Sequence, residues 1–308
     1  MQPSAKGLPS DTRTVGSHPA MPVIVGAPRS GTTMLRLMLD AHPQLAIPPE
    51  TGFLVLAPAL KSEGQRLQTE DFVEAITNFP PEMPAWLDFG IPLADFRREL
   101  DRIRSFDVAD GFRAFYRLYA GRFGKSRWGD KTPLYALHLC DIADTLPEAH
   151  FIHVIRDGRD VSLSLRQCWF SPSQDMKILA AHWQRHVAEG RRQGACCRRY
   201  IEVRYEALVR QPAAVLEEIC AFVGLPYVSQ LERYHETAMV RLSEHRGRQS
   251  SDGLLAITPE ERLEQQRLAT RPPDPSRIEA WKETMTAVER SDFEGVAGDL
   301  LRDLGYEM

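Results

Sequence analysis

Apolar positions along the chain fall into short dense runs separated by longer amphipathic stretches. Pro22-Val23-Ile24-Val25-Gly26 is a β-branched run of the kind that forms a strand buried on both faces. From Met34 to Asp40 the spacing becomes helical: Leu35, Met38 and Leu39 share a face, Arg36 and Asp40 can pair at i,i+4, and His42-Pro43 ends the helix. A second buried run, His150 to Ile155, leads into a helix carrying Val161 and Leu165, and further short strands are expected near 45–47 and 200–205. Pro212 opens a helix that Gly224 and Pro226 close, and Ser276 is placed to cap a terminal helix containing Trp281. Strands alternating with helices predict a three-layer α/β domain with a mainly parallel central sheet flanked by helices. A helical insertion is expected near 52–127. Within it, Phe112, Phe115, Tyr116 and Tyr119 form a stripe that reads either as an acceptor-pocket wall or as plain core. Residues 229–277 lack periodicity but carry Arg241, Arg246, Arg248, Arg271 and Arg277, a pattern that fits a lid over a ligand or a segment ordered only by one.

Composition narrows the class. With 38 Lys+Arg against 42 Asp+Glu in 308 residues, the formal charge of −4 gives no electrostatic case for nucleic acid or anionic membrane as partner. Residues 1–20, rich in Ser, Pro, Gly and Thr, read as a solvated, disordered tail without the apolar core of a signal peptide, leaving 21–308 as a single domain. No stretch reaches the roughly 20 apolar residues of a membrane span. Five cysteines without C-x-x-C spacing suggest a reducing, cytoplasmic compartment, and the adjacent Cys196-Cys197 reads as a solvated junction rather than a redox site. Nothing in the pattern bears on oligomeric state.

The junction between the first strand and helix carries the strongest chemical signal. Residues 26–33, Gly-Ala-Pro-Arg-Ser-Gly-Thr-Thr, give the G-x-x-x-x-G spacing of a phosphate-cradling P-loop, in which backbone N–H groups and a helix N-terminus face an anion. The Lys-Ser/Thr pair that neutralises a nucleoside triphosphate and ligates Mg²⁺ is replaced by Thr32-Thr33, so Arg29 is the fixed cation and no metal is required. After the second strand, Arg156 stands where ligands of open parallel sheets bind, and Ser164 can add a hydroxyl from the next helix. Arg156 and Arg159 pairing with Asp157 and Asp160 on a solvated turn is the alternative. His182 and His186 share a helical face at i,i+4 but lack a third ligand and read as structural.

Taken together, Gly-Ala-Pro-Arg-Ser-Gly-Thr-Thr and Val154-Ile155-Arg156-Asp157-Gly158-Arg159 with Ser164 resemble the two nucleotide-binding motifs of sulfotransferases that use 3′-phosphoadenosine 5′-phosphosulfate (PAPS). Asp40-Ala41-His42-Pro43 and Glu50-Thr51 are similar to segments of the tyrosylprotein sulfotransferases and related bacterial enzymes. The resemblance implies a P-loop-like fold in which Arg29, Ser30, Gly31, Thr32 and Thr33 hold the 5′-phosphosulfate. It further implies that Arg156 and Ser164 hold the 3′-phosphate, that Tyr205 in Val203-Arg204-Tyr205-Glu206 lies near the nucleotide, that Glu50 is the base, and that Lys131 in Trp128-Gly129-Asp130-Lys131-Thr132-Pro133 stabilises the leaving oxygen. Read without it, Glu50 is equally a surface carboxylate or ion-pair partner, and Lys131 an exposed lysine before Pro133. Pro48-Pro49 stands where the tyrosylprotein enzymes tend to carry a glycine and a second acid, and 52–127 matches no one subfamily. The expected acceptor is a hydroxyl of a small molecule, glycan or lipid, and the product adenosine 3′,5′-bisphosphate (PAP). A P-loop kinase or nucleotide hydrolase, and a non-catalytic nucleotide-binding protein, are the competing readings.

Overall fold

In the structure, a computed structural model that describes residues 18–64, 67–249 and 255–308, four parallel strands form the central sheet in the order β4-β1-β5-β6. These are β1 (Met21–Gly26), β4 (Asp130–Lys131), β5 (Ala149–Ile155) and β6 (Tyr200–Arg204). The register sets Gly26 opposite Val154 and Ile24 opposite both Lys131 and Ile152. All six residues of β1 are buried, which is why it reads as an unbroken apolar run. Two shorter sheets accompany it: a parallel pair of β2 (Leu45–Ala46) with β3 (Arg127–Trp128), and an antiparallel hairpin of β7 (Arg248–Gln249) with β8 (Leu255–Ile257). Of the tail expected over 1–20, residues 1–17 lie outside the described residues, as do 250–254 of the segment 229–277.

Helices cover both faces of the sheet. The helix Thr32–Asp40 and helices Tyr205–Arg210 and Pro212–Val223 pack around Ile24, Ile152 and Val154. Met176–Gly194 and Ala287–Asp303 pack together over Ala27 and Ile155. Between β2 and β3 the chain forms Ala57–Glu63, Thr69–Thr77, Leu93–Leu100 and Val108–Gly121. The aromatic stripe on Val108–Gly121 is core: Phe112, Phe115, Tyr116 and Tyr119 are fully buried, and Phe53 stacks on Phe112 at 5.7 Å and meets Phe115 edge-on at 4.9 Å. These rings hold the helices to the sheet and leave no face for an acceptor.

Two local expectations are corrected. Arg36 and Asp40 do not pair, because both are buried and find better-placed partners. Asp40 takes a two-pronged ion pair from Arg241 at 2.7 and 3.0 Å and the Ile47 N–H at 2.8 Å, while Arg36 donates to the Ile47 carbonyl at 3.0 Å and lies 3.5 Å from Glu244. Ser276 caps nothing long: Trp281–Thr284 is a single turn, and the terminal helix starts at Thr286, whose hydroxyl and Glu289 form a reciprocal capping box.

Residues 229–277 are tied to the rest of the molecule by charge as well as by apolar contact. Asp88, only 2 % exposed at its side chain, accepts hydrogen bonds from Arg246 N (2.8 Å), Arg248 (3.1 Å) and both Nη atoms of Arg262 (2.8 Å). Burial pushes the Asp88 carboxyl up, but the two guanidiniums and the amide outweigh it and hold the group below the usual carboxylate range. Its stabilisation is therefore present above the ordinary Asp pKa and is lost as pH falls through the depressed value. Asp88→Ala strands two partly buried arginines and is expected to cost about 3 kcal/mol in urea denaturation at pH 7; a loss under about 1 kcal/mol contradicts this clasp.

Candidate active site

Strand ends β1, β5 and β6 converge on the loop 27–31, at the carboxyl edge where parallel sheets place ligands. Ser30 N–H closes a turn onto the Ala27 carbonyl at 3.1 Å, and Arg29 takes a left-handed backbone (φ 72), a conformation costly for a residue with a Cβ and concentrated at functional turns. Gly31 is left-handed as well (φ 94), and a Cβ there would lie 2.5 Å from the Tyr205 ring, so glycine is required on both counts. No side chain caps the helix Thr32–Asp40 that follows. Its first-turn N–H groups thus remain for an anion, at the positive end of the helix dipole. Ser30 Oγ and Arg156 Nε, both buried, have no hydrogen-bond partner among the described residues. A buried donor without an acceptor is costly, and oxygens of a bound phosphate-type group would satisfy these.

Arg156 follows β5 directly. Its guanidinium lies 4.4 Å from the Tyr205 ring centroid, donates to the Arg29 carbonyl at 3.3 Å and to the Arg277 carbonyl at 2.8 Å, and stands 3.7 Å from Asp160. Trp183 Nε1 donates to the Arg156 carbonyl at 3.1 Å and fixes the main chain from behind. Burial raises the Asp160 carboxyl to about 6, opposed by Arg156 and by the Trp281 and Glu279 amides that bind it. The competing turn pairing is realised for Arg159, which is fully buried against Asp157 at 2.8 Å and Glu294 at 2.9 Å, and in part for Arg156, which is 3.7 Å from Asp160 but keeps its Nε without a partner among the described residues. Ser164 is within the same cluster, but its hydroxyl accepts from Arg29 Nε at 3.1 Å rather than facing Arg156. Arg29 also donates to the Gln265 carbonyl at 3.3 Å, bringing the segment 229–277 onto the loop.

On the other side of the loop, Lys131 stands at the end of β4, beside β1. Its ammonium donates to Glu50 Oε1 and to Thr33 Oγ1 (3.3 Å), so one cation joins the loop helix to a carboxylate. The flanking residues fix this geometry. Arg36 and Asp40 grip Ile47 from the helix, and Thr51 Oγ1 donates to Asp130 Oδ2 at 2.6 Å. Asp130 also takes Tyr116 OH at 2.7 Å and Thr132 Oγ1 at 2.8 Å, and burial against these hydrogen bonds leaves its carboxyl at about 6. Lys131 is 4 % exposed, whereas Glu50 keeps 48 % of its side-chain surface, so the carboxylate is the accessible partner. Desolvation pushes Glu50 up, but Lys131, then Arg248 and Arg262, pull it below the usual carboxylate range. Desolvation also lowers Lys131, with Glu50 opposing and Arg36 adding to the fall. Such an arrangement offers an ionised, reachable base next to a dry cation.

The candidate site residues thus form two groups on either side of the loop: Arg156 against the Tyr205 ring and the Arg29 carbonyl, and Lys131 between Thr33 and Glu50. Two contributors, Arg262 and Asp88, are not picked out by the sequence, and Arg248 reads there only as one of the arginines of 229–277. Arg248 and Arg262 bias Glu50 from the β7–β8 region, and Asp88 gathers them. No motif marks Asp88, but Thr258-Pro259-Glu260-Glu261 is a legible capping box for the helix Pro259–Gln265 that carries Arg262. His182 and His186 lie with rings 4.3 Å apart, and among the described residues no group of three or more His, Cys, Asp or Glu is arranged to hold a metal. No helix among them is long and apolar enough to cross a membrane.

Comparison with known proteins agrees with this geometry. The profile of the sulfotransferase family matches residues 23–229, from β1 through the helix Pro212–Val223. Nodulation protein NoeE of Sinorhizobium fredii is 27 % identical over 321 aligned positions, covering 96 % of this chain and 68 % of that protein. Protein-tyrosine sulfotransferase A of Caenorhabditis elegans is 24 % identical over 306 positions, covering 92 % of this chain and 66 % of that protein. The chain therefore spans about two thirds of the length of these relatives. Among solved structures, the sulfotransferase domain of the Synechococcus PCC 7002 olefin synthase shares the fold, with a TM-score of 0.58 at 22 % identity over 95 % of this chain and 98 % of that domain.

Proposed function

Because this chain belongs to the sulfotransferase family, we propose that it transfers a sulfuryl group from PAPS to a hydroxyl of a small-molecule, glycan or lipid acceptor, with Glu50 as base. The observation that carries this reading is Lys131, whose ammonium is shared between Thr33 of the anion loop and the accessible carboxylate of Glu50. In-line transfer needs a base on the acceptor side and a cation on the donor side, and here one buried lysine borders both. PAPS, when bound, supplies the activated sulfuryl group. Glu50 takes the acceptor's hydroxyl proton, Lys131 meets charge on the departing oxygen, and Arg29 with the amides after Gly31 holds the equatorial oxygens. Arg156, stacked on Tyr205, offers a planar fork to the 3′-phosphate, and Ser164 orients Arg29 beside it. Arg248 and Arg262, held by Asp88, stand near Glu50 and would border the acceptor.

The pH dependence follows from the two shifted groups. Glu50 must be ionised and is held below the usual carboxylate range, so activity is retained until the pH falls beneath that range. Lys131 must stay protonated and is lowered from the usual lysine range, so activity falls on the alkaline side before an ordinary lysine would titrate. A pH profile of kcat/KM with an acid limb near 6.5, where imidazole titrates, would instead point to a histidine base. Transfer itself is tested with ³⁵S-labelled PAPS in EDTA against phenolic, glycan and lipid hydroxyl acceptors. Label on an acceptor with release of PAP is expected; label transfer that depends on added Mg²⁺ contradicts the metal-free site.

A further inference from the structure

Glu50 keeps about half of its side-chain surface, yet the chain on either side of it is buried and pinned. Upstream the fixed point is Ile47. Its N–H donates to Asp40 Oδ1 at 2.8 Å, and its carbonyl accepts from Arg36 Nε at 3.0 Å, with Arg241 Nη2 3.5 Å away. Arg241 in turn locks this clamp. It grips Asp40 through two nitrogens, donates to the Tyr119 hydroxyl at 2.7 Å and to Glu244 Oε1 at 2.9 Å, and sets its guanidinium 3.8 Å from the Phe123 ring centroid. Tyr119 OH lies 2.7 Å from Glu244 Oε2 and closes the network. Arg36, Asp40 and Arg241 are all buried, where hydrogen bonds between charged groups are stronger than in water. Downstream the fixed point is Thr51, whose hydroxyl donates to Asp130 Oδ2 at 2.6 Å and lies 2.8 Å from the Tyr135 hydroxyl. Gly52 then turns the chain in a left-handed conformation (φ 71), where a Cβ would lie 2.7 Å from the Phe79 ring.

Between Ile47 and Glu50 stand Pro48 and Pro49, both buried. Neither has an N–H, so this span has no backbone donors of its own and depends on its two ends. What the prolines contribute is stiffness. Their rings fix φ at 48 and 49, and each disfavours helical backbone at the residue before it, so 47 and 48 are restricted as well. We propose that Pro48 and Pro49 form a rigid strut that carries Glu50, with Arg36, Asp40 and Arg241 as its footing, which makes the two prolines and Arg241 positioning residues for the base. This rests on the reading of Glu50 as base given above.

The strut answers a geometric need. A base acts only within hydrogen-bond reach of the proton it takes, and an exposed carboxylate on a loose chain would hold that place for a small part of the time. Lys131 alone cannot set it, because a single ammonium contact leaves the carboxylate free to swing about one point. A backbone fixed at Ile47 and Thr51 and stiffened between them removes that freedom. The footing also ties the base to the donor loop. Arg241 belongs to the segment 229–277, whose Gln265 carbonyl accepts from Arg29 at 3.3 Å, so one stretch of chain reaches the loop cation and underpins the base.

The test compares the full-length parent with Pro48→Ala/Pro49→Ala and repeats the comparison in the Glu50→Gln background. Stiffness is read from ¹⁵N relaxation of the Glu50 amide, which needs no acceptor: an order parameter near about 0.85 in the parent and below about 0.6 in the proline variant is expected. In turnover of ³⁵S-labelled PAPS with an acceptor from the screen above, the proline variant should lose about tenfold or more in kcat, with the Kd for PAP within roughly threefold of the parent. Beside Glu50→Gln, the same substitutions should change kcat by less than about twofold, since the strut acts only through the carboxylate. Pro49→Ala alone disturbs the packing less and should show part of both losses, so a double variant that does not fold leaves the test intact. A mobile Glu50 amide in the parent, an unchanged order parameter in the variants, PAP affinity falling in step with kcat, or a proline effect undiminished beside Glu50→Gln would each overturn the strut. Turnover unaffected by Glu50→Gln itself would instead overturn the base, a result the relaxation measurement does not depend on.

Discussion

Glu50→Gln is expected to lower kcat by about 10²–10⁴-fold while leaving the Kd for PAP within roughly threefold of the parent. The glutamine keeps an oxygen that can accept from Lys131, so the contact that borders the loop survives and the substitution removes a proton acceptor without opening a hole. What is lost is basicity. A carboxylate held ionised by Lys131, Arg248 and Arg262 can take a hydroxyl proton at neutral pH, and a carboxamide cannot. Steady-state turnover with any acceptor that the labelled-donor screen yields, paired with PAP titration of the same variant, separates the two effects. Turnover within tenfold of the parent would remove Glu50 as the base.

Arg156→Ala carries the second large effect, on binding. The fork at Arg156 can make two charge-assisted hydrogen bonds to a phosphate, worth roughly 2–4 kcal/mol together, or about 30- to 1,000-fold in Kd. Adenosine 5′-phosphosulfate lacks the 3′-phosphate, so its affinity should fall less than about threefold in the same variant. Arg156→Lys keeps the charge but not the fork and should land between the two. The comparison of ligands is needed because Arg156 also binds the Arg29 and Arg277 carbonyls, and a merely structural loss would weaken both ligands alike. Equal losses contradict the assignment of Arg156 to the 3′-phosphate.

Much of the fold could be read because the main elements are locally determined. β1 is an unbroken apolar run and β5 is one interrupted only by His150 and His153, the glycines at 26 and 31 punctuate the loop, and Gly224 ends the helix Pro212–Val223 in a left-handed turn. The strand that carries Lys131 was not legible, because Asp130 and Lys131 are polar and only two residues long; their burial comes from neighbours in space, Thr51, Tyr116 and β1. Arg36 and Asp40 illustrate the same limit in reverse. A local i,i+4 rule pairs them, but both lie where Arg241, Glu244 and Ile47 compete for them, and tertiary partners win in a buried setting. Of the candidate site, Arg29 and Arg156 stand out by their place after a strand, whereas Glu50, Lys131 and Tyr205 are picked out only through the family resemblance; the structure sets Lys131 between Thr33 and Glu50 and Arg156 against Tyr205. The arginines that bias Glu50 arrive through Asp88, more than 150 positions away in sequence from each of them, and no local pattern encodes that contact.

The proposed function requires that the loop between Arg156 and Lys131 receive a 3′,5′-bisphosphorylated adenosine without metal. Calorimetric titration of the purified protein with PAP in EDTA, beside ATP with Mg²⁺, tests it most directly. Micromolar or tighter PAP binding is expected, with a preference over ATP of at least ~2 kcal/mol, about thirtyfold. Undetectable PAP binding, or ATP with Mg²⁺ binding more tightly, would contradict it.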